Sequence, residues 1–388
     1  MDFCQSLRLI FVLNLLCFYA RAFTPLNSSV IMATQQDAQN CSQKVDNALR
    51  FNNQRLLLLP TIYFITNSNG ISHYCSGNHN HCDPIDQATI ALYKNAWANC
   101  FKHVLDKKTE ITVVPHIDDG SGQGQWRNLV KFNPLKKYGG LSYDDILITP
   151  LVDALELASG TKKKEVYFSL EGEMGAEIFS FPKSNLILFE RIKKAHPQWK
   201  IGIGLNFNAI DGNTGNSDPQ SLQKLVDKID FIGISAYGPL HFPIKPQDFL
   251  ENVTNLSKDL LTLKVLVSQN KEFQFSEIGL GGGSKSSSGH LPAESPEAAA
   301  KDPWAGMTYP YDITQDPWQI KPLRDLRFDY HKALLDFLKT SESSTHVTGA
   351  FLWNANSWDP QGLDKTQYFD KEISDLINEY NGQGLLRR

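Results

Sequence analysis

Between residues 108 and 353, short apolar runs alternate with longer segments of helical pattern. Each run is an almost continuous series of β-branched, aliphatic and aromatic residues, which is typical of parallel strands buried on both faces. This alternation restricts the chain to an α/β fold built on a parallel sheet. The predicted strands are Ile111–His116, Glu165–Glu171, Lys200–Phe207, Asp230–Ala236, Phe273–Ile278 and Val347–Trp353.

The segments between these strands carry helix start signals. Ser217-Asp218-Pro219 combines a capping side chain with a proline at the first helical position, and Asp83-Pro84 does the same before a long apolar pattern. Repeated strand–helix units form either a doubly wound sheet or a closed (β/α)8 barrel. The predicted helices are Ile85–Leu105, Ile146–Leu157, Leu186–Lys194, Leu222–Ile229, Leu323–Leu338 and Ile373–Tyr380.

The number of strands distinguishes the two folds. If Val347–Trp353 is strand eight, Ile111–His116 is strand three, and Arg55–Thr66 supplies one of the two earlier strands. The other early strand is not placed. No Gly-x-Gly-x-x-Gly turn follows a predicted strand, so the pattern lacks the dinucleotide-binding signal of a doubly wound sheet. We predict a (β/α)8 TIM barrel that uses residues 23–388 as a single domain.

One long segment, residues 279–322, follows strand seven and is rich in Gly, Ser, Pro and Ala. We expect its part Ser284–Ala300 to be a disordered insertion. The remainder contains Trp304, Tyr309, Tyr311 and Trp318, and disordered segments are poor in aromatic residues. Loops at the carboxyl ends of barrel strands form the active sites of such proteins, so we expect this aromatic half to contribute to a site.

The first 22 residues resemble a secretory signal. Leu9–Ala20 is a mostly apolar run that follows Arg8 and precedes the small-x-small sequence Ala20-Arg21-Ala22. A membrane-spanning helix needs about 20 apolar residues, so we expect cleavage after Ala22 and secretion rather than anchoring. A net charge of −4 provides no basic surface for nucleic acid, and a mean hydropathy of −0.31 excludes a protein with several membrane spans. We expect a monomer.

The cysteines and sequons fit an oxidising compartment. Cys4 and Cys17 leave with the signal, and the four that remain allow three disulfide pairings. We favour the pairing that closes a short polar loop with one bond and ties the N-terminal region with the other; a metal site with His73, His79 and His81 is the alternative. The expected pairs are Cys75–Cys82 and Cys41–Cys100, and the sequons are Asn27, Asn40, Asn252 and Asn255, of which the last two are too close for both to be modified easily.

Acidic residues end two of the predicted strands. Alternation along strand four puts Tyr167, Ser169, Glu171 and Glu173 on one face, towards the barrel interior or its mouth. Glu277 closes the apolar run of strand seven. Two carboxyl groups that converge on one pocket are the arrangement required for glycoside hydrolysis. The alternative is that these are buried acids paired with Arg127 or a histidine.

This order of motifs resembles clan A of the retaining glycoside hydrolases, in an endo-mannanase-like branch, over residues 108–380. The resemblance assigns the acid/base to strand four and the nucleophile to Glu277. It also implies that Tyr237, which ends strand six, hydrogen-bonds the nucleophile, and that Trp353, which ends strand eight, floors a sugar subsite. The remaining match is a pair of substrate-binding loops after strand three, with His116, Asp118, Asp119, Trp126 and Arg127.

Two features depart from the clan pattern. Clan members usually have Asn before the strand-four acid, but this chain has Gly172, so the contact to the sugar 2-hydroxyl would come from Asn206 or Asn208. The doubled Glu171 and Glu173 leave the acid ambiguous, and Glu173 is the better match because it follows the glycine. The group His116, Asp118 and Asp119 has a metal-binding alternative, although a sugar-binding or structural role is favoured.

The sequence thus predicts a secreted retaining O-glycoside hydrolase that acts on a β-linked oligo- or polysaccharide and needs no cofactor. A protonated Glu173 would serve as the acid and an ionised Glu277 as the nucleophile, with Glu171 holding the hydrogen bonds of the site. Two alternatives remain: an inactive barrel that serves as an extracellular carbohydrate-binding or matrix protein, and an unrelated secreted barrel with buried acids. The tryptophans expected to stack on sugars are Trp126, Trp304, Trp318 and Trp353.

Overall fold

A computed structural model describes residues 23–68, 70–78, 81–160, 166–211, 218–286, 291–307, 316–364 and 366–385. The predicted signal segment 1–22 lies outside the described residues. So do His79, Glu165, Ser217, Tyr309 and Tyr311.

Eight parallel strands form a closed barrel, because the first strand pairs with both the second and the eighth. The predicted (β/α)8 architecture is therefore confirmed: Arg55–Thr66 belongs to the second strand, and strands three to eight overlap their predicted ranges. The barrel strands, in chain order, are β1 (Leu26–Met32), β2 (Arg55–Asn67), β3 (Glu110–Val113), β4 (Val166–Ser169), β5 (Lys200–Asn206), β6 (Phe231–Ser235), β7 (Glu272–Ile278) and β8 (Val347–Leu352).

Strand β1 is the strand that the apolar pattern did not place. Its first half contains Asn27, Ser28 and Ser29, which are polar yet almost fully buried. Their backbone and side-chain groups are satisfied by other polar residues: the Ser28 amide donates to Asn53 (2.6 Å) and the Ser29 amide donates to Asn354 (2.9 Å). A strand stabilised in this way has no continuous apolar run for sequence reading to detect.

The second half of β2 extends above the barrel and carries a small sheet. The hairpin strand Gly70–Asn78 pairs antiparallel with this half of β2. On its other edge it pairs antiparallel with strand His81–Pro84. On the other side of β2, the short strand His116–Asp119 pairs in parallel with residues 61–64. Predicted strand three, Ile111–His116, is thus divided between β3 and this short strand.

Helices surround the barrel, and an α-helix absent from the sequence prediction, Pro246–Thr262, lies between β6 and β7. Among the described helices, none combines the length and apolar character needed to cross a membrane. The remaining α-helices are Gln35–Gln39, Cys41–Leu49, Gln87–Asp106, Thr149–Ser159, Gly175–Ser180, Pro182–Ala195, Pro219–Lys228, Pro296–Lys301, Lys321–Leu338, Ser341–Thr345 and Lys371–Leu385.

The expectation of disorder across Ser284–Ala300 is wrong for the described part of that segment. Residues 291–300 are ordered, and they include the start of helix Pro296–Lys301. Ser295 caps this helix by accepting from the amide of Ala298, and Ala299 and Ala300 are fully buried. These side chains belong to the main hydrophobic core, and their burial favours an ordered conformation of the segment.

Both favoured disulfides are present, and the alternative of a metal site at the cysteines is wrong. Cys41–Cys100 joins helix Cys41–Leu49 to helix Gln87–Asp106, with the two Cα atoms 5.6 Å apart. Cys75–Cys82 closes the hairpin above the barrel, with a Cα separation of 5.2 Å. Both bonds tie together elements within residues 41–106.

Burial excludes two of the four predicted glycosylation sites. Asn27 is fully buried and its side-chain oxygen accepts from the amides of Gln54 and Arg55. Asn252 is also buried, and its oxygen accepts from the Gly238 amide. A glycan on either residue is incompatible with these contacts. The exposed Asn40 and Asn255 remain as predicted acceptors.

The interior of the barrel has a small apolar core with a buried cation beneath it. Leu57, Leu59, Val114 and Phe351 form this core. Below them Arg55 places its guanidinium 4.0 Å from the ring centroid of Tyr167 and 5.1 Å from that of Phe351, and it donates to the Thr348 carbonyl. The amino end of the barrel is therefore closed by a cation held between aromatic rings.

We expect Arg55→Ala to destabilise the protein by about 2–4 kcal/mol, because it removes a buried stem and head that fill the barrel. Denaturant unfolding followed by circular dichroism measures this loss. Arg50→Ala, at an exposed position, is the matched control and should change stability by less than about 0.5 kcal/mol. Equal effects of the two substitutions would contradict a special role for Arg55.

Candidate active site

A cavity of about 590 Å³ opens at the carboxyl end of the barrel strands. This is the end at which barrel enzymes place their active sites, and the volume is in the range of small-molecule sites. Glu173, just after β4, and Glu277, near the end of β7, both line it. The other lining residues are Trp126, Asn206, Phe207, Asn208, Tyr237, Lys285, Asp302, Trp304, Trp353 and Trp358.

The two strand-four glutamates have different surroundings. Glu171 has no exposed surface, and its two carboxyl oxygens accept separately from the amides of Met174 (2.7 Å) and Gly204 (2.8 Å). Burial raises the pKa of Glu171 to about 8, although these two amides oppose the shift. Glu171 does not line the cavity; it holds the turn that follows β4.

That turn directs Glu173 into the cavity. The backbone of Glu173 has a φ of 59°, in the left-handed region that residues with a side chain rarely adopt, and its amide donates to the Gly204 carbonyl (2.8 Å). The two hydrogen bonds that the Glu171 carboxyl group accepts keep the turn in this conformation. Glu173 is thus placed in the cavity by backbone geometry that strand alternation does not describe.

One guanidinium bridges two acids at the cavity floor. Arg127 donates to Glu173 (2.7 Å) and also to Asp118, and it is only about one-seventh exposed. Burial lowers the pKa of Arg127, but the carboxylates of Asp118 and Glu173 outweigh burial and raise it overall, so the cation is permanent. Asn206 donates to the second oxygen of Glu173, so its amide is already engaged with the acid.

Glu277 lies deeper and has weaker partners. Its two carboxyl oxygens are 3.4 Å from the hydroxyl of Tyr237 and 3.4 Å from Nε2 of His116. Burial, and then the charge of Glu173, raise the pKa of Glu277 well above its ordinary value, while Arg127 and Tyr237 lower it. This direction is opposite to the expectation of an ionised Glu277 in the free protein.

The ring of His116 explains the glycine that departs from the clan pattern. A Cβ at Gly172 would collide with the His116 ring and lie 2.7 Å from Cγ1 of Val114. Position 172 therefore has no room for an asparagine. Burial, followed by the charge of Arg127, lowers the pKa of His116 well below 6.5, so the ring is neutral, and it stacks with Trp353 at a centroid distance of 6.4 Å.

Three of the four predicted sugar-stacking tryptophans line the cavity: Trp126, Trp304 and Trp353. The prediction for Trp318 is wrong. Trp318 is 4% exposed, donates its indole N–H to the Ser357 carbonyl, and lies against the guanidinium of Arg327 at 4.4 Å. It packs below the cavity wall rather than facing a ligand.

The described residues of the insertion after β7 form a wall of the cavity. Two of its stretches pair with each other, the Gly281 amide donating to Pro303 and the Gly283 amide donating to Ala305. Lys285 and Asp302, which sequence reasoning did not select, come together on this wall, because the Lys285 amide donates to the Asp302 carboxylate (2.6 Å). The insertion thereby supplies both charged residues at the mouth.

Trp358 and Phe207 are the aromatic residues of the cavity lining that the sequence prediction missed. Trp358 ends a short 3-10 helix, Asn356–Trp358, after β8, and its indole N–H donates to the Pro303 carbonyl (3.0 Å). A Cβ at Gly279, Gly281 or Gly306 would press on the Trp358 ring. The glycine-rich sequence after β7 was therefore the available signal for a large ring packed against it.

The acids after β3 are engaged in local structure. The Asp119 carboxylate accepts from the amides of Ser121 (2.8 Å) and Gln125 (3.0 Å), and Asp118 holds Arg127. Over the described part of the chain, the group of side chains with metal-binding geometry is elsewhere, at His241, Asp248 and Glu251. His116, Asp118 and Asp119 thus serve the loop and the two glutamates.

Solved structures share the barrel. A GH113 beta-1,4-mannanase is 13% identical in sequence and superposes with a TM-score of 0.55 over 93% of this chain and 99% of that chain. A GH113 beta-mannanase from Alicyclobacillus acidocaldarius is 12% identical, with a TM-score of 0.55 over 94% of this chain and 98% of that one. No family model matches the chain, and no curated protein matches it. At this identity the likeness confirms the fold on which the clan resemblance rests.

The charges around Glu277 predict opposite pKa changes in two variants. Glu173→Gln removes a negative neighbour and should lower the pKa of Glu277, whereas Arg127→Met removes a positive one and should raise it. NMR titration of ¹³C-labelled glutamate side chains measures both. Lys285→Met, at the exposed mouth, is the control and should leave the titration unchanged. Shifts in the same direction in both variants would refute this arrangement of charges.

Proposed function

We propose that this protein is a secreted, retaining O-glycoside hydrolase that acts on a β-linked oligo- or polysaccharide. The observation that supports the proposal most strongly is that Glu173 and Glu277, from the ends of β4 and β7, line the same aromatic-walled cavity. Two carboxyl groups facing one sugar site are what a double displacement requires. The expected signal at residues 1–22 and the two disulfides support secretion.

In the first step, Glu173 donates its proton to the glycosidic oxygen while the carboxylate of Glu277 attacks the anomeric carbon. The bond between that carbon and the leaving oxygen breaks, and a glycosyl ester forms on Glu277. In the second step, Glu173 takes a proton from water, the water oxygen attacks the same carbon, and Glu277 is released as a carboxylate. Glu171 acts through the turn, by keeping Glu173 in position.

The raised pKa of Glu277 means that Glu277 retains its proton above the ordinary carboxyl range in the free protein. Double displacement therefore requires Glu277 to lose that proton when the substrate binds. A glycosidic oxygen bound beside Glu173 accepts a hydrogen bond only from a protonated Glu173, so substrate binding favours the arrangement in which Glu277 is ionised. Arg127 lowers the cost of that arrangement through its charge, which favours the ionised form of Glu277.

A β-1,4-mannan is the first substrate to test, because the solved structures with the same barrel include beta-1,4-mannanases. The tryptophans of the cavity present flat apolar faces of the kind on which sugar rings stack. Trp304, at 44% exposure, lies where an outer sugar of a longer chain would pass. Glucan-, xylan- and galactan-type polymers complete the panel.

One observation favours the alternative of an inactive, carbohydrate-binding barrel. Gly172 has no side chain to contact the sugar, and the ring of His116 fills the space where one would be. Asn206, the expected replacement, donates to Glu173 instead. The alternative predicts binding to a polysaccharide of the panel without turnover.

The leaving group distinguishes the acid from the other glutamates. We expect Glu173→Ala to slow hydrolysis of natural glycosides by about 10²–10⁴-fold while sparing formation of the glycosyl-enzyme from activated aryl glycosides, because a stable phenolate needs no proton. Added azide should restore turnover of the activated substrate. Steady-state kinetics on paired natural and aryl substrates measure both effects.

Two further variants serve as matched controls. Glu171→Gln should slow natural and activated substrates alike, since the clamp on the turn does not depend on the leaving group. Glu277→Gln should abolish turnover of every substrate, because no covalent intermediate forms. Azide rescue of Glu171→Ala and not of Glu173→Ala would reverse the assignment of the acid. Full activity of Glu277→Gln would refute the mechanism.

A further inference from the structure

The Cys75–Cys82 disulfide packs directly on the loop that leads to the active site. Cys75 is fully buried, and the bond spans the hairpin formed by Gly70–Asn78 and His81–Pro84. A Cβ built on Gly120 would lie 2.7 Å from the Cys82 sulfur and 3.1 Å from the Cys75 sulfur. Only a residue without a side chain allows the disulfide and the loop to approach this closely.

Hydrogen bonds continue this contact along the loop. The Gly120 amide donates to the Phe64 carbonyl (2.9 Å), which ties the start of the loop to β2. Asp119 then accepts from the amide of Gln125 (3.0 Å), and the Gln125 side-chain oxygen accepts from the hydroxyl of Thr66 (2.7 Å). The loop is therefore closed on itself from residue 119 to residue 125.

The next two residues of the chain belong to the active site. Trp126 lines the cavity, and Arg127 bridges Asp118 and Glu173. Arg127 lies between two anchors: the loop of residues 119–125 on its amino side, and Asn128 on its carboxyl side, which accepts from the Gly175 amide (2.9 Å). A displacement of the loop would therefore move the guanidinium relative to Glu173 while Asn128 stays in place.

The same hairpin also supports the segment beyond Arg127. The ring of Tyr74 meets the ring of Tyr138 edge to face, with centroids 6.3 Å apart, and a Cβ at Gly139 would collide with the side chain of His73. The hairpin therefore touches the chain on both sides of Arg127. A hairpin of two strands is marginally stable by itself, so its shape depends on the bond that closes it.

We propose that the Cys75–Cys82 disulfide is a positioning element of the active site, which holds the loop of residues 119–127 so that Arg127 stays on Glu173. Its kinetic consequences rest on the proposed hydrolase function, but its effects on loop order and on the Glu277 titration do not. The other disulfide, Cys41–Cys100, joins two helices that do not line the cavity, and it provides a matched control.

The first experiment compares Cys75→Ala/Cys82→Ala with Cys41→Ala/Cys100→Ala by hydrogen exchange and mass spectrometry of the full mature chain. The first pair should lose protection in peptides that cover residues 118–130, and the second should retain it. The Cys41–Cys100 disulfide closes a far longer loop than Cys75–Cys82, with 59 against 7 residues of separation. Its removal should therefore lower the Tm more. The proposal would be overturned if both double variants lost protection over residues 118–130 equally, or if Cys75→Ala/Cys82→Ala lost none.

The second measurement follows the pKa of Glu277, which depends on the charges around it. Loss of Arg127 from its position should raise the pKa of Glu277 in Cys75→Ala/Cys82→Ala, in the direction expected of Arg127→Met, and leave it unchanged in Cys41→Ala/Cys100→Ala. If the protein proves to be a hydrolase, kcat should fall by about 10–100-fold in the first pair only. An unshifted titration together with an unchanged kcat would overturn the proposal, whereas lack of activity in the unmodified protein would refute only the hydrolase function.

Gly120→Ala tests the contact without removing the disulfide. Its new methyl group has no room beside the two sulfurs, so it should expose the same peptides to exchange and shift the same titration. In the Cys75→Ala/Cys82→Ala background the sulfurs are gone, and Gly120→Ala should add little further effect. Fully additive effects, or a Gly120→Ala variant identical to the unmodified protein, would show that the disulfide does not act through this loop.

Discussion

The guanidinium of Arg127 is the interaction on which the site depends. Two buried carboxyl groups, those of Glu173 and Glu277, and the partly buried carboxyl group of Asp118 lie around it, and burial of several anions without a cation is costly. One permanently charged group with a planar fork contacts two of the acids and acts electrostatically on the third. The acids remain close together because this cation lies between them.

Much of the surrounding structure places that cation and its acids. Glu171 uses both carboxyl oxygens to hold the turn of Glu173, and the neutral ring of His116 fills the space beside Gly172. These buried polar residues behind the cavity are therefore positioned as specifically as the residues that face it. Such a layer supports catalytic and binding sites alike, because both need fixed geometry.

The sequence predicted strands most successfully where burial on both faces produces a continuous run of apolar residues. Strands β2 to β8 have apolar runs because both faces are covered, so seven of the eight strands were recognisable. Strand β1 was not, because Asn27, Ser28 and Ser29 are buried with hydrogen-bond partners far away in the chain. Trp318 is the converse case: an aromatic residue in a loop suggests a ligand, but the partner of Trp318 is Arg327.

The sequence by itself determined the barrel and the acids at the ends of β4 and β7, since the strands follow from local apolar runs and the acids from their positions at the ends of those runs. It left three disulfide pairings possible, of which the structure contains the favoured one. Only the tertiary structure decided which side chains meet. Phe275 packs outwards on Phe337, and alternation would send Glu277 the same way, but an irregularity between Phe275 and Glu277 in the pairing with β6 turns the acid towards the cavity. The contact of Arg127 with Glu173 similarly joins residues 46 positions apart, and it depends on strand register and loop closure, which no local pattern records.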